Sequence, residues 1–179
     1  MNVEHNTTTS SLIAHPSSFL TVRYPRHMQT TNEITIQAER PGLYRAQCAE
    51  FCGLQHAHMA LLVVAQPPDE FEAWRAAQLQ PSVQPATAEE EAGRQVFLAK
   101  QCRACHAVRG TPAAGTIGPD LTHLASRGTI AAGMLANTRG TLAAWVADPQ
   151  NVKPGSKMPL VPLSADELRA LSAYLAGLR

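Results

Sequence analysis

The chain has 179 residues, a formal net charge of +1 and 45% hydrophobic residues, which gives room for one large or two small domains. Its near-balanced charge and the lack of any Lys/Arg tract exclude nucleic acid as a partner. No run approaches the roughly 20 apolar residues that cross a bilayer, and MNVEHNTTTSSLIAH has no charged start or apolar core, so neither a membrane helix nor a signal peptide is expected in the chain as written.

The first thirty residues show no clear period. Glu33 to Glu39 then alternates, with Ile34, Ile36 and Ala38 on one side, as a half-buried strand does. After the Pro41–Gly42 turn, Leu43 to Gln47 and Ala60 to Ala65 read as two more strands enclosing CAEFCGLQHAHM. Residues 1–66 are therefore expected to be an all-β module whose loop joins two strands. Residues 67–87 read as a linker, with prolines at 67, 68, 81 and 85 bracketing DEFEAWRAAQL, a short helix that Asp69 would cap. From 88 to 179 the period is helical. AEEEAGRQVFLAKQ leads into CRACH, TLAAWVAD starts at a Thr141 cap, and SADELRALSAYLAGL opens with a Ser164/Glu167 capping box.

All four cysteines fall in two close pairs, Cys48 with Cys52 and Cys102 with Cys105, each near a histidine. Disulfide frameworks spread cysteines to close long loops, so close pairs beside histidines point to ligand sets. In CRACH, Cys102 and Cys105 are spaced to bond the two vinyl groups of a haem, and His106 directly after them places an imidazole under the iron. A zinc half-site or a redox CxxC is the competing reading, weakened because no second CxxC or His pair follows. Gly118 and Pro119 lie where a backbone carbonyl can take the other imidazole N–H. Met158, in the proline-rich KPGSKMPLVP, is the candidate for the sixth iron position. In the first pair, soft thiolates together with His56 and Met59 select copper over magnesium or calcium, and two thiolates can bridge two ions. A structural zinc site is the alternative there, and His58 reads as a packing or surface residue.

From Ala88 to Arg179, the Gly93/Phe97 helix running into CRACH, IGPDL, LAAWVADPQNVKPGSKMP and the closing helix with Tyr174 resemble class I cytochrome c domains. The resemblance implies a compact helical fold around one low-spin haem c. From about Thr30 through Val64, ERPGLYRAQCAEFCGLQHAHM resembles the dinuclear copper domain of cytochrome c oxidase subunit II. That likeness implies a cupredoxin-like β-barrel with two copper ions bridged by Cys48 and Cys52. His56 and Met59 would be terminal ligands, Glu50 would give its backbone carbonyl, and the Glu50 side chain would face a magnesium ion at the interface with subunit I.

The whole is then a mixed two-domain chain, a partial all-β cupredoxin-like barrel followed by an all-α cytochrome c domain. It resembles bacterial oxidases whose subunit II carries its own haem. Electrons from a soluble cytochrome c or other donor would enter at haem, pass to copper and go on to subunit I, at the periplasmic face of the inner membrane. This chain would hold no oxygen-reducing site. Relative to the family, two membrane helices and the first barrel strands are missing ahead of residue 30, which would leave unpaired edges and an open core. The family's other copper histidine sits in a His-Ser-Phe-x-Val-Pro stretch. His15 is followed by PSSFLTVRYP, which is what a one-base deletion after the His codon would produce, so residues 16–30 are expected to be read out of frame and His15 to be that ligand, ahead of His5 and His27. The alternatives are a free periplasmic electron carrier with a vestigial copper segment, and a degraded gene whose product does not mature.

Overall fold

The computed structural model describes residues 31–179 and, ahead of them, the backbone of residues 2–3, 11–14 and 20–25; side chains are described from Ile36 onward. His5, His15, His27 and most of the segment 16–30 lie outside the described residues.

Six strands belong to the first part: β1 (Asn2–Val3), β2 (Ser11–Ala14), β3 (Leu20–Pro25), β4 (Thr31–Ile36), β5 (Gly42–Gln47) and β6 (Ala60–Ala65). They pair as two three-stranded sheets, β1-β3-β4 and β2-β6-β5. No closed barrel forms among the described residues. Strand β6 matches the expected range; it is apolar throughout and buried on both faces, at Ala60 on one and at Val63 and Ala65 on the other. It runs antiparallel to β5 with Gln47 opposite Ala60, so the cysteine loop closes a hairpin.

Helix α1 (Pro68–Gln78) follows, anchored by the buried Phe71. Its N-cap is Pro67, with no side-chain cap bond, and Asp69 lies within the first turn. The expected Asp69 cap is thus corrected: the carboxylate favours the helix start through its charge on the first-turn N–H groups. Pro68, already fixed at helical φ, opens the helix one residue earlier.

The second part comprises α2 (Ala88–Ala99), α3 (Cys102–Cys105), the short hairpin β7 (Thr129–Ile130) and β8 (Leu135–Ala136), α4 (Arg139–Ala147), α5 (Pro149–Val152) and α6 (Ala165–Gly177). Thr87 caps α2, its side-chain oxygen accepting from the Glu90 N–H at 3.1 Å. Ser164 and Glu167 form the expected capping box on α6, at 3.2 and 2.8 Å. Thr141 is not the cap of α4. Thr138 is, and Thr141 sits three residues on as the other half of the capping box, where its hydroxyl accepts from the Thr138 N–H at 3.0 Å. Helix α2 crosses α6 at Gly93, where an added Cβ would lie 2.0 Å from the Ala170 carbonyl oxygen. Only hydrogen fits there, and Phe97 then meets Tyr174 with ring centroids 5.9 Å apart. Phe97, Val108, Leu171 and Leu178 are almost fully enclosed in the core.

Candidate haem cavity and metal loop

The core of the helical part is not filled by its own side chains. A cavity of about 460 Å³ is lined by Cys102, His106, Met158, Trp145, Leu142 and Leu171 among others. Native interiors hold few voids larger than a water molecule, so an apolar cavity of this size marks the place of a bound group. The residues around it suit a haem. Short helix α3 presents Cys102 and Cys105, and His106 ends it with its N–H donating to the Cys102 carbonyl at 2.9 Å. The His106 ring lies against Gly118, where a Cβ would come within 2.6 Å of its Cε1. Its Nδ1 is 2.7 Å from the Pro119 carbonyl oxygen. That bond fixes the Nδ1–H tautomer and turns Nε2 into a free acceptor for a metal. Burial pushes the His106 pKa down, partly offset by the Pro119 bond and reinforced by Arg127. The imidazole is therefore held neutral, as a ligand must be.

Met158 reaches the cavity from the loop after α5. Gln150 organises that loop, its side-chain amide donating to the carbonyls of Ser156 at 2.6 Å and Met158 at 3.1 Å, while its oxygen accepts from the Gly155 N–H at 3.2 Å. Two further wall residues escaped sequence reasoning. Arg127 lines the cavity with its pKa lowered by burial, and the Thr129 hydroxyl, also on the wall, is buried with no hydrogen-bond partner among the described residues. A cation and an orphaned hydroxyl at an otherwise apolar wall suit the carboxylates a haem carries. Nothing in local composition marks either residue.

The metal loop is built differently. The Cys48 N–H donates to the Met59 carbonyl at 3.0 Å and closes its base. Gln47 reinforces the closure, its side-chain amide lying 2.9 Å from the Met59 carbonyl oxygen, 3.2 Å from that of His56 and 3.3 Å from that of Ala57. Gly53, at φ +105°, makes a turn that other residues rarely adopt, and a 3-10 turn (His56–His58) starts just after it. The result gathers Cys48, Cys52 and His56, whose ligand atoms all lie within 4.8 Å of one another. The two thiol sulfurs are 3.5 Å apart, the Cys52 sulfur is 3.6 Å from His56 Nδ1 and 3.9 Å from the Met59 sulfur, and the Cys48 sulfur is 3.1 Å from the Glu50 carbonyl oxygen. Five of the six copper-site residues expected from the sequence thus converge; the sixth, His15, is not described. The donor set, two thiols with imidazole, thioether and carbonyl, has the softness that selects copper. The hydrogen bond to Cys48, desolvation and the neighbouring thiol raise the Cys52 pKa, the behaviour of two close thiols that only a bound cation would hold ionised together. His58 is exposed, away from the cluster.

Loop and cavity adjoin. Ala60 and Leu61, which follow Met59 directly in the chain, form part of the cavity wall.

A cavity lined by Cys102, His106 and Met158 thus lies beside a loop that gathers two thiols, an imidazole and a thioether, the donor types of a haem- and metal-binding redox protein. The family model described as cytochrome c matches residues 90–179, and that described as cytochrome c oxidase subunit II, periplasmic domain, matches residues 7–66. The chain belongs to the cytochrome c family through its second half and carries ahead of it a segment that matches the periplasmic-domain model of cytochrome c oxidase subunit II. Relatives named cytochrome c oxidase subunit 2 include one from Alkalihalophilus pseudofirmus, 39% identical over 150 residues, covering 83% of this chain and 43% of that one. Others are from Bacillus sp. strain PS3, 35% identical over 145 residues (77% and 40%), and from Bacillus subtilis, 33% identical over 149 residues (79% and 41%). The chain spans about two fifths of the length of these relatives. No helix of the described residues is long and apolar enough to cross a membrane.

Proposed function

We propose that this chain is the electron-entry and relay part of a haem-copper cytochrome c oxidase, taking electrons from a soluble cytochrome c or other donor and delivering them to subunit I at the periplasmic face of the inner membrane. The observation that carries the reading is the shared wall: the residue after Met59 already lines the haem cavity. Haem and copper would each supply a one-electron couple there.

The chain's residues do the holding. Cys102 and Cys105 would bond the haem covalently, His106 and Met158 would ligate its iron, and Arg127 would meet a carboxylate. Ligation of the iron by both residues would suit the site to passing electrons rather than binding oxygen. On the loop, Cys48, Cys52, His56, Met59 and the Glu50 carbonyl would together hold the copper. On sequence grounds His15 is the remaining histidine, and the Glu50 side chain is assigned to a magnesium ion facing subunit I. The loop carries two almost fully exposed apolar side chains, Phe51 and Leu54, as suits a face covered in a complex.

The test is electron paramagnetic resonance with metal analysis on the full chain, produced with haem maturation and copper supplied. The expected result is one low-spin haem and two coppers sharing an unpaired electron. A haem signal alone, at full haem occupancy and in excess copper, overturns the relay and leaves a cytochrome c carrier.

A further inference from the structure

The two halves touch through a set of polar contacts beside the cavity wall, where Ala60, Ala131 and Ala132 meet. The β7–β8 hairpin turns through Ala131, Ala132 and Gly133, all in the left-handed region at φ 53°, 59° and 78°. Two successive alanines there are strained, because Cβ crowds the following carbonyl, and such strain persists only where surroundings over-determine it. Here it aims one carbonyl at the strand that follows the metal loop and another at Lys153. The Ala132 oxygen accepts from the Ala60 N–H at 3.0 Å. The Ala131 oxygen accepts from Lys153 Nζ at 3.2 Å, and the same ammonium donates to the His58 carbonyl at 3.4 Å. Lys153 precedes the Met158 loop, whose Pro154 carbonyl accepts from Gln55 Nε2 at 3.1 Å. Gly133 closes over Ala60 so tightly that a Cβ would lie 3.1 Å from the Ala60 Cβ.

We propose that Lys153 and the strained 131–133 turn form a clasp that docks the metal loop on the haem cavity and fixes the separation of the two centres. Lys153 is a positioning residue: one ammonium ties the loop's His58 carbonyl, the hairpin's Ala131 carbonyl and the segment that leads to Met158. Its placement suits the task, since a half-buried lysine whose donors go to backbone carbonyls holds main chain, and main chain sets where His56 and Met59 lie. The clasp rests on the relay reading for its purpose but not for its existence, because every contact in it is protein to protein.

The experiment uses the full chain in two stages. Without copper, amide hydrogen exchange and ¹⁵N relaxation report docking. The expected result is a protected Ala60 N–H and one rotational correlation time for both halves. Lys153→Met should lower Ala60 protection at least tenfold and separate the correlation times, and Lys153→Arg, which keeps a donor cation, should restore most of both. Gly133→Val attacks the same contact from the hairpin side and should reproduce the Lys153→Met result, which guards against a folding defect peculiar to one variant. Independent tumbling of the wild-type halves, or unchanged Ala60 protection in both Lys153→Met and Gly133→Val, overturns the clasp. With both metals loaded, flash reduction of the haem should give haem-to-copper transfer at least tenfold slower in Lys153→Met. A wild-type chain that docks but transfers nothing to loaded copper would keep the clasp and reject the relay.

Discussion

The metal loop and the haem cavity hold comparable numbers of donor groups but are made in opposite ways. Cys48, Glu50, Cys52, His56 and Met59 come from one hairpin connection. They stand near solvent, with Cys52 exposed and Met59 at 40% exposure, and are shaped by backbone bonds across the neck and by Gln47. Cys102, His106 and Met158 come from chain segments brought together only when α2, α4 and α6 pack. The loop is a local structure that a hairpin specifies; the cavity is a tertiary one that exists only while the core does. Damage to the core should therefore abolish the haem site outright, whereas damage to the loop should degrade the metal site without unfolding the chain.

Paired glycine substitutions should break that comparison most sharply. Gly93→Val places methyl groups where even a Cβ would sit 2.0 Å from the Ala170 carbonyl, which backbone must move to relieve. We expect a loss of about 3 kcal/mol or more of stability and failure to retain haem, read by chemical denaturation and haem absorbance. Gly53→Ala has nothing within 4 Å of its new Cβ but must hold φ +105°. Its cost should be about 1 kcal/mol, felt in copper affinity while haem absorbance is untouched. Equal losses from the two would mean that loop and core are one cooperative unit.

The two glutamines sharpen the same contrast. Gln47 and Gln150 each use a side-chain amide to tie backbone beside a candidate ligand, Met59 in one case and Met158 in the other. Replacement of either by Ala should cost about 1 kcal/mol, the net worth of lost hydrogen bonds near solvent, but with separate signatures. Gln150→Ala should weaken the methionine–iron band and lower the haem potential, leaving the copper signal intact. Gln47→Ala should broaden the copper signal and leave the haem band intact. Crossed effects would show that the clasp at Lys153 transmits disorder between the centres.

What was legible in the sequence follows the same division. The loop could be read almost whole, because its donors lie within twelve consecutive residues and short runs after the Pro41–Gly42 turn and after Met59 read as its flanking strands β5 and β6. In the helical half, Cys102, Cys105 and His106 are contiguous too, and the Ser164/Glu167 box announces α6. Helix starts were less legible: Thr141 and Thr138 are both plausible caps, and only the fold shows that they act as a pair. Arg127, Thr129, Lys153 and Gln150 were invisible, since their significance lies in what distant segments place beside them. The strands before residue 30 were missed although β3, LTVRYP, alternates apolar with polar residues from Leu20 to Tyr24; β1 and β2 are too short to show a period, and their pairing is with distant strands. The expected barrel had no such local support; it rested on likeness alone, and the described strands form two separate sheets.

The smallest effect concerns acid. The helical half carries ion pairs that join distant helices, Glu89 with Arg139 at 2.7 Å and Lys100 with Glu167 at 2.9 Å, and one local pair on α2. There Glu91 accepts from Arg94 at 2.7 and 2.8 Å and from the Gln95 amide at 2.6 Å. The Arg94 bonds first, and then the Gln95 bond, hold the Glu91 carboxyl at about 2 against an ordinary 4.5. A carboxylate whose pKa is depressed by folding stabilises the fold fully above its unfolded value, and the contribution disappears as pH falls through the folded one. Glu91→Gln should therefore lower the melting temperature slightly at pH 7, since a solvent-facing pair contributes little. The gap between variant and wild type should narrow from pH 4.5 downward and close near pH 2. Thermal melts at several pH values read it directly. A gap that stays constant down to pH 2 would assign the loss to helix propensity at that position, and the acid sensitivity of the haem half would then rest on the pairs that tie α2 to α4 and α6.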